Sequence, residues 1–338
     1  MLFLENRVAS LEILRFLSSI SVVIFHYQNI LIQNNSDLIS ELPFSNLINI
    51  FYTYGYYGVH IFFTISGFIF AYTYLEKNVS AKKFFVNRFS RLYPLHFLTL
   101  ILIVLIEFLD PVFFNNFNEI NNIFNDMYHF VLQIFFISYW GFESGHSFNT
   151  PIWSVSIEII LYIIFFLSMR FLKIHINMII ILLLFLTYKL SFIQIKYIEF
   201  AVLFFSGILI FQIINHNKKK LQLLFSTLVL MISIIGNFKI LLFAPSLIML
   251  IVLLEKNISK RIRPIFIYLG SITYSTYLIH YPILISILSF ENNFQNLEKI
   301  YFNDLFFIFF ITFLIIISFG TFKFFERPLN YTIRKSLS

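Results

Sequence analysis

The stretch "LRFLSSISVVIFH", Leu14 to His26, decides the fold. Most of it is Leu, Ile, Val and Phe, which suit hydrocarbon, yet Arg15 stands near its start and His26 closes it. At about 100° per residue, the eleven-residue spacing returns to within about 20° of the starting direction. Arg15 and His26 therefore share one face of a predicted helix, about 16 Å apart along its axis. Glu12, Ser19, Asn29 and Gln33 fall in the same arc. One side of the helix is polar and the remainder fits lipid. An arginine at mid-bilayer costs about 2.5–3.5 kcal/mol on insertion scales, so such groups face protein or a water-filled cavity and mark a pathway or a site. Glu12, one turn before Arg15, is placed to pair with it.

The rest of the chain extends this reading. Of 338 residues, 59% are hydrophobic and 12% charged, and the mean hydropathy is +0.83. A soluble domain of this length cannot bury that much apolar surface. Apolar runs of about 18 or more residues recur, the signature of spanning helices, and the alternation of a spanning β-barrel is absent. The fold class is all-α, a polytopic transmembrane bundle forming a single integral-membrane domain over 1–338. Ten spans are expected, at 8–32, 52–75, 91–109, 152–169, 176–190, 197–214, 221–236, 239–255, 265–289 and 304–324. The first thirty residues lack a clean apolar core and a small-x-small cleavage site, and so read as a retained helix. With no cysteines, disulfides and thiolate metal sites are excluded; no metal is expected.

Of the 24 Lys and Arg residues, 19 fall at the N-terminus, in alternate loops and in the C-terminal tail. The positive-inside rule then places both termini in the cytoplasm of a multi-pass inner-membrane protein. It also explains the net charge of +7 without nucleic acid. The apolar piece 127–140 is too short to cross, and the Asn-rich stretch 110–126 reads as an outer loop.

Four further stretches carry chemistry. "YGVHIFFTISGF" (Tyr57 to Phe68) places His60 near the outer surface and Ser66-Gly67 deeper, where small residues permit close helix packing. No base stands beside Ser66 in sequence, so it reads as a packing or lining group. "RFSRLYP" (Arg88 to Pro94) sets two guanidinium forks one turn apart at a cytoplasmic helix start, suited to phosphate. "PIWSVSIEIILY" (Pro151 to Tyr162) carries Glu158 about two turns into a span. "YSTYLIHYP" (Tyr274 to Pro282) places His280 near mid-membrane with Tyr277 one turn before it.

In order, these motifs resemble acyltransferase family 3, the integral-membrane acyltransferases that decorate bacterial sugars. "LEILRFLSSISVVIFH" resembles its "LDGLRALA…H", and "GVHIFFTISGF" its "GVxxFFxxSGF". "RFSRLYP" resembles its Arg-x-x-Arg before Tyr-Pro, "WSVSIE" its "WSLSVE", "STYLIHYP" its "SLYLWHWP", and "FFERPLN" its "xxERPxx". Ile13 stands where Gly is usual, and His60 where an acidic residue is common.

The resemblance implies acetyl-CoA or another acyl-CoA as cytoplasmic donor. It implies a hydroxyl of a lipid-linked or surface glycan as acceptor, with a partner protein in glycan assembly for any two-stage transfer. Arg88 and Arg91 are expected to grip the CoA phosphates, with the pantetheine arm passing Arg15. His26 is expected to act either as general base or as acyl carrier. Glu158 is expected to orient His26 or to contact the sugar. Glu12, Ser19, His60, Ser66, Tyr277 and His280 are expected to line the substrate cavity. A proton-coupled transporter or flippase of a sugar-type substrate would also bury His and Glu. The lack of an internal repeat and of Gly/Pro-broken helix pairs weighs against it.

Overall fold

The computed structural model describes residues 7–32, 36–75, 77–121, 123–171, 184–185, 189, 195–214, 219–236, 239–293 and 300–337. Among them the chain is helical. Its extended pairing is an isolated bridge between Ile123 and His146. The helices are α1 (Ala9–Ile32), α2 (Ser45–Tyr54), α3 (Tyr57–Tyr74), α4 (Ala81–Leu109), α5 (Pro111–Asn121), α6 (Met127–Ile134) and α7 (Ile152–Phe171). They continue with α8 (Ile195–Ile214), α9 (Lys219–Ile235), α10 (Ile240–Leu253), α11 (Arg263–Ser271), α12 (Thr273–Asn293), α13 (Asp304–Thr321) and α14 (Arg327–Leu337). A π-helical turn, Phe322–Glu326, joins the last two. Four segments are long and apolar enough to cross a membrane: Ala9–Ile30, Ala81–Leu109, Tyr197–Ile214 and part of Asp304–Leu337. The span predicted at 176–190 lies almost entirely outside the described residues.

Several boundaries differ from the sequence reading. The span predicted at 52–75 is two helices, α2 and α3, parted at Gly55 and Tyr56. The Ser21 carbonyl and the Phe25 side chain approach so closely there that a Cβ would not fit, and Ser21 Oγ donates to the Gly55 carbonyl at 2.8 Å. The span predicted at 265–289 is likewise α11 and α12, parted at Ile272. Helix α4 starts ten residues before the span predicted at 91–109 and keeps Pro94 inside it, so Arg88 and Arg91 lie within a long helix and not at its start.

The stretch read as an outer loop contains α5. Asp110 Oδ1 accepts from the Phe113 amide at 3.1 Å as an N-cap, and Pro111 occupies the first turn, where its missing N–H costs nothing. Phe113, Phe114 and Phe117 are buried. The segment 127–140 contributes only the eight-residue α6, about 12 Å of helix and too short to cross.

The chain divides into two compact units. The first comprises residues 1–18, 57–80 and 157–271. Its central contact is α3 on α8. A Cβ on Gly67 would collide with the Phe204 carbonyl, and one on Gly207 with the Thr64 carbonyl, so two glycines let the backbones touch. In lipid, where the hydrophobic effect does not drive helices together, such contact supplies the packing energy. Helix α10 closes the unit with Ile248, Met249 and Leu253 against Leu11, Leu14, Ile65, Phe68 and Ile210. Gly67→Ala is expected to cost about 1–3 kcal/mol or more, read as a lower Tm of the purified protein; an unchanged melt would refute this contact.

The second unit comprises 19–56, 81–156 and 272–338. In it α12 packs on α13 and α4, and α14 on α4.

Candidate active site

In the second unit, the centre is an imidazole pair. His26 Nδ1 lies 2.7 Å from His280 Nε2. The rings stack with centroids 5.0 Å apart and planes 20° apart. His280 is 0% exposed, whereas His26 retains partial accessibility. Tyr281 presents its ring edgewise to His26, with centroids 6.5 Å apart.

Helix α12 holds this centre through almost every residue of one short run. Tyr274 Oη donates to the Leu92 carbonyl at 2.8 Å, and Ser275 Oγ to Glu326 Oε2 at 2.8 Å. Tyr277 Oη donates to the Pro151 carbonyl at 3.0 Å and lies 2.8 Å from Ser154 Oγ. Thr150 Oγ1 donates to Tyr281 Oη at 3.0 Å. Pro282 has no N–H, so the Leu278 carbonyl four residues earlier loses its helical partner. Asn149 Nδ2 supplies the missing bond at 3.2 Å. The proline in "LIHYP" thus creates an acceptor that pins the loop before α7 to the helix bearing His280.

That loop brings in a histidine the sequence reading passed over. His146 lies within electrostatic range of His26. Its carbonyl accepts from the Phe124 amide at 2.7 Å, and Tyr139 Oη lies 3.2 Å from its ring nitrogens. Burial, helped by the Glu143 charge, pushes the Tyr139 phenol up to about 12, so the hydroxyl stays protonated at neutral pH. Phe136 and Phe148 in this loop adopt positive φ, 59° and 45°, a conformation that stores about 1–3 kcal/mol each in a non-glycine residue. Gln133, Ser138, Tyr139, His146, Ser147, Thr150 and Trp153 pack around a crevice too tight to admit a water molecule. Gln133 Oε1 and Ser138 Oγ are buried without a hydrogen-bond partner among the described residues. A hydrophobic-period search could not find His146, which sits in a loop.

The same loop is braced by His129. Its Nε2 accepts from the Ser144 amide at 3.1 Å, so its proton is on Nδ1, 2.9 Å from both Asp126 carboxylate oxygens. Burial pushes the Asp126 carboxyl up, but hydrogen bonds from the His129 backbone and ring outweigh it and leave the pKa below the usual value. A depressed carboxylate contributes stability above its unfolded pKa of about 3.9 and loses it as pH falls through the folded value. Asp126→Asn is therefore expected to lower Tm at pH 6, with the gap to the unaltered protein closing on acidification below about pH 4. A gap independent of pH would remove the carboxylate's role.

Of the basic residues expected at the coenzyme, Arg88 and Arg91 are both partly exposed on α4. Helix α14 lies along α4 and brings Arg334 Nε to 3.3 Å from Ser90 Oγ.

The first unit holds the other predicted residues. Glu12 is buried against Gly270, with Arg15 Nη1 3.3 Å away and Arg7 Nη1 3.7 Å away. Glu255 accepts from the first amides of α1, those of Ala9 at 3.0 Å and Ser10 at 2.8 Å, a carboxylate at a helix N-terminus. Ser66 Oγ donates to Glu158 Oε1 at 2.6 Å, so a carboxylate does stand beside Ser66. His60 Nε2 pairs with Glu199 Oε1 at 3.3 Å, a partner that sequence spacing did not suggest. In the second unit Ser19 is fully buried. The structure therefore brings His26 together with His280 and Tyr277 with Ser154, and ties Glu158 to Ser66. Gln33 of the predicted polar stripe lies outside the described residues.

Apolar helices long enough to cross a bilayer define the chain as a membrane protein. The family model for the acyltransferase 3 family, described as an acyltransferase domain, matches residues 8–322, and the chain belongs to that family. It is 28% identical over 125 residues to the acyltransferase MdmB of Streptomyces mycarofaciens, a stretch covering 36% of this chain and 30% of that protein. The chain thus matches under a third of the length of this relative. No solved structure matches.

Proposed function

We propose that this protein is an integral-membrane O-acyltransferase that moves an acyl group, acetyl in the first instance, from cytoplasmic acyl-CoA to a hydroxyl of a cell-surface or lipid-linked glycan. The observation that carries the reading is the accessible His26 ring held at 2.7 Å by a neighbour that is itself buried. A neutral imidazole is suited to take a hydroxyl proton. The hydroxyl oxygen attacks the thioester carbonyl carbon, the carbon–sulfur bond breaks, and the proton leaves with the CoA thiol. Acyl transfer through His26 as a covalent carrier uses the same ring and the same donor.

Arg88 and Arg91 bind the CoA phosphates by charge-assisted forks, and Arg15, held by Glu12, lines the path of the pantetheine arm. In the first unit Glu158 and Ser66 act as a pair. The reading places the single domain in the inner membrane on ten spans, termini inside, with a partner protein wherever the acyl group must travel further.

The test is radiolabelled acetyl-CoA given to protein reconstituted in vesicles with a glycolipid extract of the producing cells. Label on a glycan, with one free CoA thiol released per label, is expected. Movement of glycan across the vesicle without thiol release would replace the enzyme with a transporter.

A further inference from the structure

We propose that His280 is a positioning residue: its Nε2 accepts the Nδ1 proton of His26 and so leaves the Nε2 lone pair of His26 as the reacting base. The inference rests on the acyl-transfer reading and deepens it.

Two neutral imidazoles 2.7 Å apart share one proton, and the remaining nitrogens decide which ring holds it. His280 Nδ1 is buried and makes no hydrogen bond among the described residues, so the contact between the two rings sets the arrangement. For His26 to act as base through its outer nitrogen, its own proton must sit on Nδ1 and be donated to the Nε2 lone pair of His280, whose proton is then on Nδ1. The second nitrogen of His26 is then bare, on the ring that retains accessibility. His280, at 0% exposed, cannot itself meet a substrate.

The partner's chemistry matters as much as its place. A carboxylate in this position would bring a buried charge that needs compensation. Among the described residues no carboxylate is hydrogen-bonded to His26. The titratable groups facing it are His280 and Tyr281 from α12 and His146 from the loop. A neutral imidazole fixes the tautomer without a charge in the resting state. The proton passes from the acceptor hydroxyl to His26 Nε2 as the oxygen bonds to the thioester carbon. The cation so formed is braced only by a neutral ring, and gives the same proton to the departing CoA sulfur. No proton has to pass through His280.

The experiment uses the full chain in vesicles, with radiolabelled acetyl-CoA and the glycolipid extract. His280→Leu is expected to lower kcat about 10²-fold while KM for acetyl-CoA stays within about twofold. His280→Gln, whose amide oxygen accepts the same Nδ1 proton, is expected to recover kcat to within about tenfold of the unaltered protein. Wild-type kcat in His280→Leu, or a loss that Gln does not recover, would overturn the proposal. A second measurement needs no variant. Unaltered protein labelled with ¹⁵N-histidine should show, by solid-state NMR, a correlation across an N–H···N bond between two imidazoles, one nitrogen protonated and one bare. Its absence sinks the inference whatever the variants do. Should the unaltered protein release no CoA, acyl transfer itself fails, while the NMR result still decides the hydrogen bond.

Discussion

Replacing His26 by alanine is expected to abolish acyl transfer while the protein still inserts and purifies as a folded species. The side chain sits on α1, which is unbroken from Ala9 to Ile32, and the substitution leaves the apolar face of that helix intact. General-base assistance contributes about 10²–10⁴-fold, which corresponds to about 3–5 kcal/mol of barrier at 1.36 kcal/mol per tenfold. Loss of that order in kcat is expected, with KM for acetyl-CoA little changed, because the ring acts on the proton and not on the coenzyme phosphates. Ordinary acetylation by His26→Ala in a complementation assay, at matched membrane abundance, would falsify the assignment. Should the variant also accumulate label on protein when given donor alone, the carrier alternative is excluded for this ring.

The second large effect is on coenzyme affinity. Arg88→Ala combined with Arg91→Ala is expected to raise the apparent KM for acyl-CoA by about 10²-fold, with a smaller fall in kcat. A hydrogen bond to a charged group contributes about 1.5–3 kcal/mol, so two lost contacts readily amount to that factor. The paired Arg→Lys substitutions should recover only part of the affinity, since an ammonium cannot reproduce a bidentate fork. Dephospho-CoA as competitor gives a cross-check: its disadvantage against CoA should shrink in the alanine variant if these arginines read the terminal phosphate. An unchanged KM removes the phosphate role and leaves the two arginines as helix anchors. The neighbouring Arg334, brought onto α4 by α14, is a reason to vary salt in the same experiment, because a cluster of cations produces affinity that falls with ionic strength.

The parts of the fold legible in sequence are those fixed by long apolar runs. Helix α1 was expected over 8–32 and runs Ala9–Ile32; α8 was expected over 197–214 and runs Ile195–Ile214. Hydropathy alone sets such ends. It does not see the break after Tyr54, where Gly55 lets two backbones approach closely, nor a helix whose Asn-rich sequence is rescued by buried phenylalanines, as in α5. The basic tail was read as a topology signal only. Its last helix owes its place to a π-turn in which Glu326 is buried against Ser275.

The site follows the same division. His26 was conspicuous because it breaks an apolar pattern. Its partner was quoted in a motif, but nothing in a linear spacing of 254 residues says that two rings meet. Likewise Ser66 and Glu158 were each visible, while the bond between them was not. The resemblance carried order and residue type; pairing belongs to three dimensions.

One feature of α12 constrains any motion this enzyme makes. Between Tyr274 and Tyr281 the helix is bonded outward at six positions, to α1, α4, the π-turn and the loop before α7. Turning it by a single residue would swing every one of those groups through about 100° at once. Such a rod has no gentle torsional mode. Any rearrangement in this unit is therefore expected around this fixed axle and not within it.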